Sequence, residues 1–182
     1  SVIERVGWDT RTNESHNDTL LRSLVLGAGV SFGDKNTVNE ALKLFAKRNE
    51  TAIHADLRGV VYSAVAKNGK EKEYNTLLSM YKKEPLHEEK NRLLGALGLF
   101  TQKELLLKTL EFTMTEHVRM QDRNGSFASV LVNPHGRALG WSFVKKNWKK
   151  IGEAYGDGNH LLSRLISVLN RNTSKKVYVS RS

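Results

Sequence analysis

The sequence predicts an all-α fold of stacked antiparallel helix pairs, and three features carry that reading. Only two prolines occur in 182 residues, and the fourteen glycines cluster between apolar runs rather than inside alternating strand patterns. Leucine, valine and aromatic residues then recur three and four positions apart, the spacing that places side chains on one helix face. At 39% hydrophobic the chain is long enough to bury a core without staples.

The elements follow in order. Leu20, Leu21, Leu24 and Val25 come after Asn17 and Asp18, either suited to capping a first helix. Asp34 and the box-like Thr37-Val-Asn-Glu40 lead into Val38, Ala41, Leu42 and Phe45, a second helix. Asp56 precedes Leu57, Val60, Val61, Ala64 and Val65, and Asn68-Gly69 supplies a left-handed stop. Tyr74, Leu77, Leu78 and Tyr81 form a fourth helix that stops before Pro85, which is expected in the first turn of the next one. The fifth runs from about Leu86 to Leu99, with Glu88 and Glu89 near its positive end. Thr101-Gln-Lys-Glu104 reads as a capping box for a sixth helix carrying Leu105, Leu106, Thr109 and Leu110. After the polar stretch Gln121 to Gly125, Ser126 to Val132 reads as a short helix. Asn133-Pro134 then resembles a cap followed by a first-turn proline, opening the longest helix, to about Ala154, where Gly156 and Gly158 end it. Leu161, Leu162, Leu165, Ile166 and Leu169 make a last amphipathic helix. These pairs recur about every 30 to 40 residues, the size of helical-repeat units, without a repeated signature. Residues 1–171 are read as one helical-repeat domain and 172–182 as a polar basic tail.

Composition narrows the function. The absence of cysteine excludes a disulfide framework, a thiolate metal site and a cysteine nucleophile. No apolar run approaches the roughly 20 residues that span a bilayer, so no membrane partner is expected. The chain begins with Ser1 rather than methionine, which suggests a processed product or a fragment of something longer. Net charge is +10, but from Lys145 onward nine basic residues face Glu153 and Asp157, leaving residues 1–144 only slightly basic. A surplus confined to one end reads as a solvated helix face and tail rather than a nucleic-acid surface. Trp141, Phe143 and Trp148, interleaved with it, are read as core. Five glycosylation sequons, at Asn13, Asn17, Asn49, Asn124 and Asn172, permit a secretory location, but the reading is cytoplasmic.

Catalytic motifs are missing. The zinc-peptidase helix motif H-E-x-x-H needs two imidazoles one turn apart, and His16, His54, His87, His117, His135 and His160 stand singly. His87-Glu-Glu89 comes nearest and lacks the second histidine. Gly27-Ala-Gly29 follows a helix, not a strand, so it is no phosphate loop. No catalytic residue and no metal ligand is assigned. What stands out is Val118-Arg-Met-Gln-Asp122, read as a helix end, and Asn133-Pro-His-Gly-Arg137, where an arginine in a helix's first turns opposes the dipole. Such an arginine has a partner, a structural carboxylate such as Asp122 or a ligand's anionic group.

At these residues the sequence becomes specific. Asn133-Pro-His-Gly-Arg-Ala-Leu-Gly-Trp-Ser-Phe-Val-Lys-Lys-Asn-Trp148 resembles the N-P-x-G-R-x-L-A-W-x-F-x-K-x-N-W signature of the helical C-terminal domain of zinc aminopeptidases of the aminopeptidase N and puromycin-sensitive aminopeptidase family. Ala55-Asp-Leu-Arg58 with Val61-Tyr62, Glu88-Glu-Lys-Asn-Arg92 with Leu97-Gly98, and Val118-Arg119 with Gln121-Asp122 match in order and spacing. The likeness runs from Gly7-Trp8 to about Leu169, looks closest to the puromycin-sensitive cytosolic branch, and departs from the family over Asn172 to Ser182. It implies an armadillo- or HEAT-like superhelix that closes over the active site of an upstream catalytic domain of the same polypeptide and encloses a chamber for peptide substrates. That domain, not this chain, would carry the zinc, and the chain alone would be inactive. Arg119, Gln121, Asp122 and Arg137 match family motif positions and are the substrate-contact candidates. Two other readings remain open, a freestanding helical-repeat scaffold for a protein partner and a basic nucleic-acid binder whose affinity would fall steeply with salt.

Overall fold

The computed structural model describes residues 7–8 and 15–155, and within them every regular element is a helix. These are α1 (His16–Phe32), α2 (Lys35–Ala46), α3 (Ala55–Asn68), α4 (Glu71–Lys83), α5 (His87–Leu97), α6 (Lys103–Thr113), α7 (Met120–Val132), α8 (Arg137–Lys146) and α9 (Trp148–Tyr155). The expected helix at Leu161 to Leu169, its glycine boundary and the basic tail lie outside the described residues.

Two compact units result, one reaching Gly69 and the other starting at Lys70. In the first, α1 and α2 both pack on α3, burying Leu26, Val30, Ala41, Leu57, Val61 and Val65. Tyr62 meets Phe45 edge-on at 6.4 Å between ring centres. In the second, α4 pairs with α5 and α6 with α7, while α5 to α7 and α6 to α8 contacts join successive helices as expected of a helical repeat. Leu77, Phe100, Leu106, Leu110, Phe127 and Leu131 are fully buried there. Each such burial stabilises by about 1.5–3 kcal/mol. Buried hydroxyls there pair with neighbouring groups: the Thr109 hydroxyl lies 3.1 Å from the Tyr74 phenol and 2.9 Å from the Leu105 carbonyl, and the Thr113 and Ser126 hydroxyls pair at 2.5 Å. Burial pushes the Tyr74 phenol above its usual range, against a smaller lowering by Thr109.

Several helix boundaries differ from the sequence expectation, each for a local reason. Ser15, not Asn17 or Asp18, caps α1, its hydroxyl accepting from the Asp18 N–H at 3.2 Å. Asp34 caps α2 by accepting from both the N–H and hydroxyl of Thr37, at 2.8 and 2.6 Å, so Thr37 belongs to the first turn. Gly69 ends α3 in extended backbone, φ −86°, rather than left-handed. Pro85 precedes the start of α5, and the box at Thr101 does not form because Gln102 occupies the cap position of α6. The polar stretch Gln121 to Gly125 is helical, so Arg119 stands at a helix start. Asn133 ends α7 rather than starting α8, and the predicted long helix breaks at Asn147 into α8 and α9. Trp141 and Phe143 are half-buried, but Trp148 is 46% exposed and is not core.

Candidate functional site

Two of the motifs that carried the resemblance meet in space. Asn91 lies on the face of α5 toward the start of α7, and its Nδ2 donates to Asp122 Oδ1 at 2.9 Å across 31 residues of sequence. Arg119, the cap residue of α7, donates from Nε to Asp122 Oδ2 at 2.7 Å. Asp122 sits in the first turn, where a carboxylate complements the helix dipole. Its side chain is 8% exposed, whereas that of Arg119 is 38% exposed. Burial alone would raise the Asp122 carboxyl, but hydrogen bonds from Arg119 and Asn91, with the Arg119 charge and then His87, outweigh it and hold the group below the usual carboxylate range.

The surrounding loop is tied to the same helix start. Arg123 donates from Nε to the Val118 carbonyl at 3.2 Å and from an η nitrogen to the Thr115 carbonyl at 3.0 Å. Tyr81 of α4 donates its hydroxyl to the His117 carbonyl at 3.0 Å. On α5, Arg92 reaches back to Glu88 at 3.0 Å and to Glu89, so the His87-Glu-Glu89 run is occupied by an ion pair along its own helix. Gln121 is exposed beside Arg119. The cluster therefore offers a partly solvated guanidinium and an exposed amide, with Asp122 consumed in orienting the former.

Arg137 is not part of this cluster. It begins α8, beyond the far end of the 13-residue α7, about 20 Å from Arg119 along the helix axis. Its Nε approaches the Leu131 carbonyl at 3.4 Å, near the negative end of α7, which explains why a cation is tolerated there. The residue before it in the motif that matters most is Asn133. Its buried side chain donates to the Gly98 and Phe100 carbonyls at 2.9 and 2.7 Å and accepts from the His135 N–H at 3.0 Å, locking the α7–α8 turn to the α5–α6 turn. Gly136 completes that lock, because an added Cβ would lie 2.7 Å from the Val130 carbonyl oxygen. Asn91 and Asn133 were both within the quoted motifs, but only their positions across the fold reveal what they do.

Among the described residues no three His, Asp or Glu side chains converge as a metal site requires, and no helix is long and apolar enough to cross a membrane. A second feature is a groove of about 540 Å³ beside α6, α8 and α9, floored by Leu107, Leu139 and Phe143 and rimmed by Lys146 and Lys150.

Comparison with known proteins follows the same residues. The family model described as "ERAP1-like C-terminal domain" matches residues 1–179. The chain is 34% identical over 181 residues to Aminopeptidase M1-C of Oryza sativa subsp. japonica, covering 95% of this chain and 20% of that protein. It is 33% identical over 172 residues to Aminopeptidase M1 of Arabidopsis thaliana, 91% of this chain and 19% of that protein. It is 34% identical over 123 residues to Aminopeptidase N of Canis lupus familiaris, 67% of this chain and 13% of that protein. It thus spans a fifth or less of the length of these relatives. With a family match over nearly its whole length and an all-helical repeat fold, the chain belongs to the ERAP1-like C-terminal domain family.

Proposed function

We propose that the chain is the non-catalytic C-terminal domain of a zinc-dependent aminopeptidase, where it caps the active site and shapes the chamber that admits peptides. The observation that carries this reading is homology over 95% of the chain to 20% of an aminopeptidase. The side chains described here do not fit a catalytic zinc, so in this reading the catalytic domain of the same polypeptide holds the metal and supplies the bond cleavage. This chain contributes surface. Arg119 and Gln121 are the groups assigned to contact peptide carbonyls or carboxylates, and Asp122 is the positioning group that holds the Arg119 guanidinium. Arg137, some 20 Å away along α7, meets only peptides of about six extended residues or more.

The test uses the parent polypeptide and a series of peptides of increasing length. R119A raises KM for peptides while leaving turnover of a single-residue fluorogenic substrate unchanged, and R137A affects only the longer peptides. Equal effects on all substrates would remove the chamber assignment. The isolated chain with added zinc releases no N-terminal residues, and zinc-dependent release by it alone would overturn the non-catalytic reading.

A further inference from the structure

The first unit carries a groove of its own, of about 520 Å³, where the C-terminal ends of α1 and α3 meet α2. Val30, Val38 and Leu42 line it, Phe32 stands 90% exposed at its rim, and Lys35 and Lys67 supply its charge. Among the described residues no carboxylate lines it. The acidic side chains closest in sequence are engaged elsewhere: Asp34 accepts from the N–H and hydroxyl of Thr37, and Glu40 pairs with Lys43 at 2.7 Å. The groove beside α6 and α8 differs in this respect, because Glu111 lines it together with Lys146 and Lys150.

Lys67 is the unusual member of the set. It stands in the last turn of α3, where the helix dipole favours a cation. Yet it is half-buried, and burial pushes its amine below the usual lysine range. Of its three donors one reaches the Ser31 hydroxyl at 3.3 Å, and no carboxylate among the described residues pairs with it. A partly desolvated ammonium costs free energy until an anion meets it. An anion alone would leave the rest of the groove unused, because the aliphatic side chains beside Lys67 favour a hydrocarbon tail. Apolar walls with a few charged groups, at this volume, are the makeup of a small-molecule site. A carboxylate suits the amine better than a phosphate, since a dianion brought to a half-buried lysine loses more hydration than one ammonium returns.

We infer that this groove binds a medium-chain alkyl carboxylate, with its head group on Lys67, Lys35 at the mouth, and its tail along Val30, Val38 and Leu42. The inference stands apart from the peptide-chamber reading, since it concerns the other unit and needs no peptide hydrolysis. The test titrates decanoate, at neutral pH, into the 182-residue chain and into the parent polypeptide by isothermal calorimetry. Decanol serves as the uncharged probe with the same tail. One-to-one saturable binding of decanoate is expected in both proteins, with decanol weaker by about tenfold or more. K67M weakens decanoate by about the same factor, K67R, which keeps the charge, restores it to within about threefold, and K103M, at an exposed lysine of α6, leaves it unchanged. Helical circular dichroism checks that the variants fold. The decanol comparison uses the unaltered protein, so it decides the point even if K67M does not fold. Decanol bound as tightly as decanoate, K67M bound as tightly as the parent, or no saturable binding would each overturn the inference. So would binding by the 182-residue chain but not by the parent polypeptide, which would assign the groove to a contact inside the longer protein.

Discussion

Replacing Asn133 by alanine tests whether the α7–α8 turn is held by side-chain hydrogen bonds or only by the apolar surface around it. Asn133 is 6% exposed and makes three bonds, two as donor to the Gly98 and Phe100 carbonyls and one as acceptor from the His135 N–H. Each neutral bond contributes about 1 kcal/mol net, and the substitution also leaves buried carbonyls unpaired, so N133A is expected to lose about 3 kcal/mol. With a urea dependence of about 2 kcal/mol per molar, the midpoint falls by about 1.5 M. N133D separates the donor role from shape. It places a carboxylate against two carbonyl oxygens, which raises the pKa of the new group. The variant is therefore less stable than N133A at pH 7 and recovers relative to it as acid protonates the carboxyl. Urea unfolding followed by helical circular dichroism at pH 7 and pH 4.5 reads both effects. An N133A midpoint within the equivalent of about 0.5 kcal/mol of the parent, at unchanged slope, would refute the reasoning.

Other expectations concern neighbouring positions. G136A brings a Cβ to 2.7 Å from the Val130 carbonyl and 3.1 Å from Leu106 Cδ1, where backbone cannot yield, and loses about 1–3 kcal/mol; G140A meets the flexible end of Leu131 at 2.8 Å and loses less. Thermal melts that rank the two in the opposite order would contradict this. D122N removes a carboxylate whose folded pKa is depressed, so its stabilisation is present above about pH 4 and lost as pH falls through the folded value. The gap in urea midpoint between parent and D122N should be full near pH 7 and close below about pH 4; a gap independent of pH would show that the charge is not what Asp122 supplies. R119A leaves that carboxylate with Asn91 alone and is expected to lose about 1–2 kcal/mol, the partial exposure of Arg119 keeping the figure low, as chemical denaturation will show.

Helix existence was legible because the apolar spacing of these segments is repeated and uninterrupted: Leu77 and Tyr81, or Leu106 and Leu110, are buried where the period places them. Boundaries were not, because several residues compete for each cap. Asp34 wins over Thr37 since its side chain reaches two donors at once. At Thr101 the sequence has the right letters, yet the chain enters the helix one residue later and no side-chain cap bond forms. Gln121 to Gly125 is polar enough to suggest a loop, and it is helical because Asp122 is anchored from outside by Asn91 on α5. Of the site, the identities of Arg119, Gln121, Asp122 and Arg137 came from motif positions, but their grouping did not. Sequence spacing places Arg137 within 18 residues of Arg119, and a straight helix between them keeps the two apart.

The long motif itself takes on a different meaning in three dimensions. Read as letters, Asn133-Pro-His-Gly-Arg137 draws attention to the arginine. In the fold, Asn133 and Gly136 do the work that no other residue type fits: one pairs two buried carbonyls from another turn, the other lets α8 pass over the backbone of Val130. These are requirements of how helix pairs stack, and they hold whether or not a peptide is ever bound. Arg119 and Gln121 stand in the opposite position, because solvent exposure leaves their identity less constrained by the interior. If the chamber reading is right, substitutions divide along this line. N133A and G136A lower stability and leave substrate-length preference intact in the molecules that fold, whereas Q121A at nearly parental stability, and R119A beyond its loss of about 1–2 kcal/mol, shift KM across the peptide series. Length preference that follows the first pair instead would mean that the chamber is shaped by the turn and not by the α7 start.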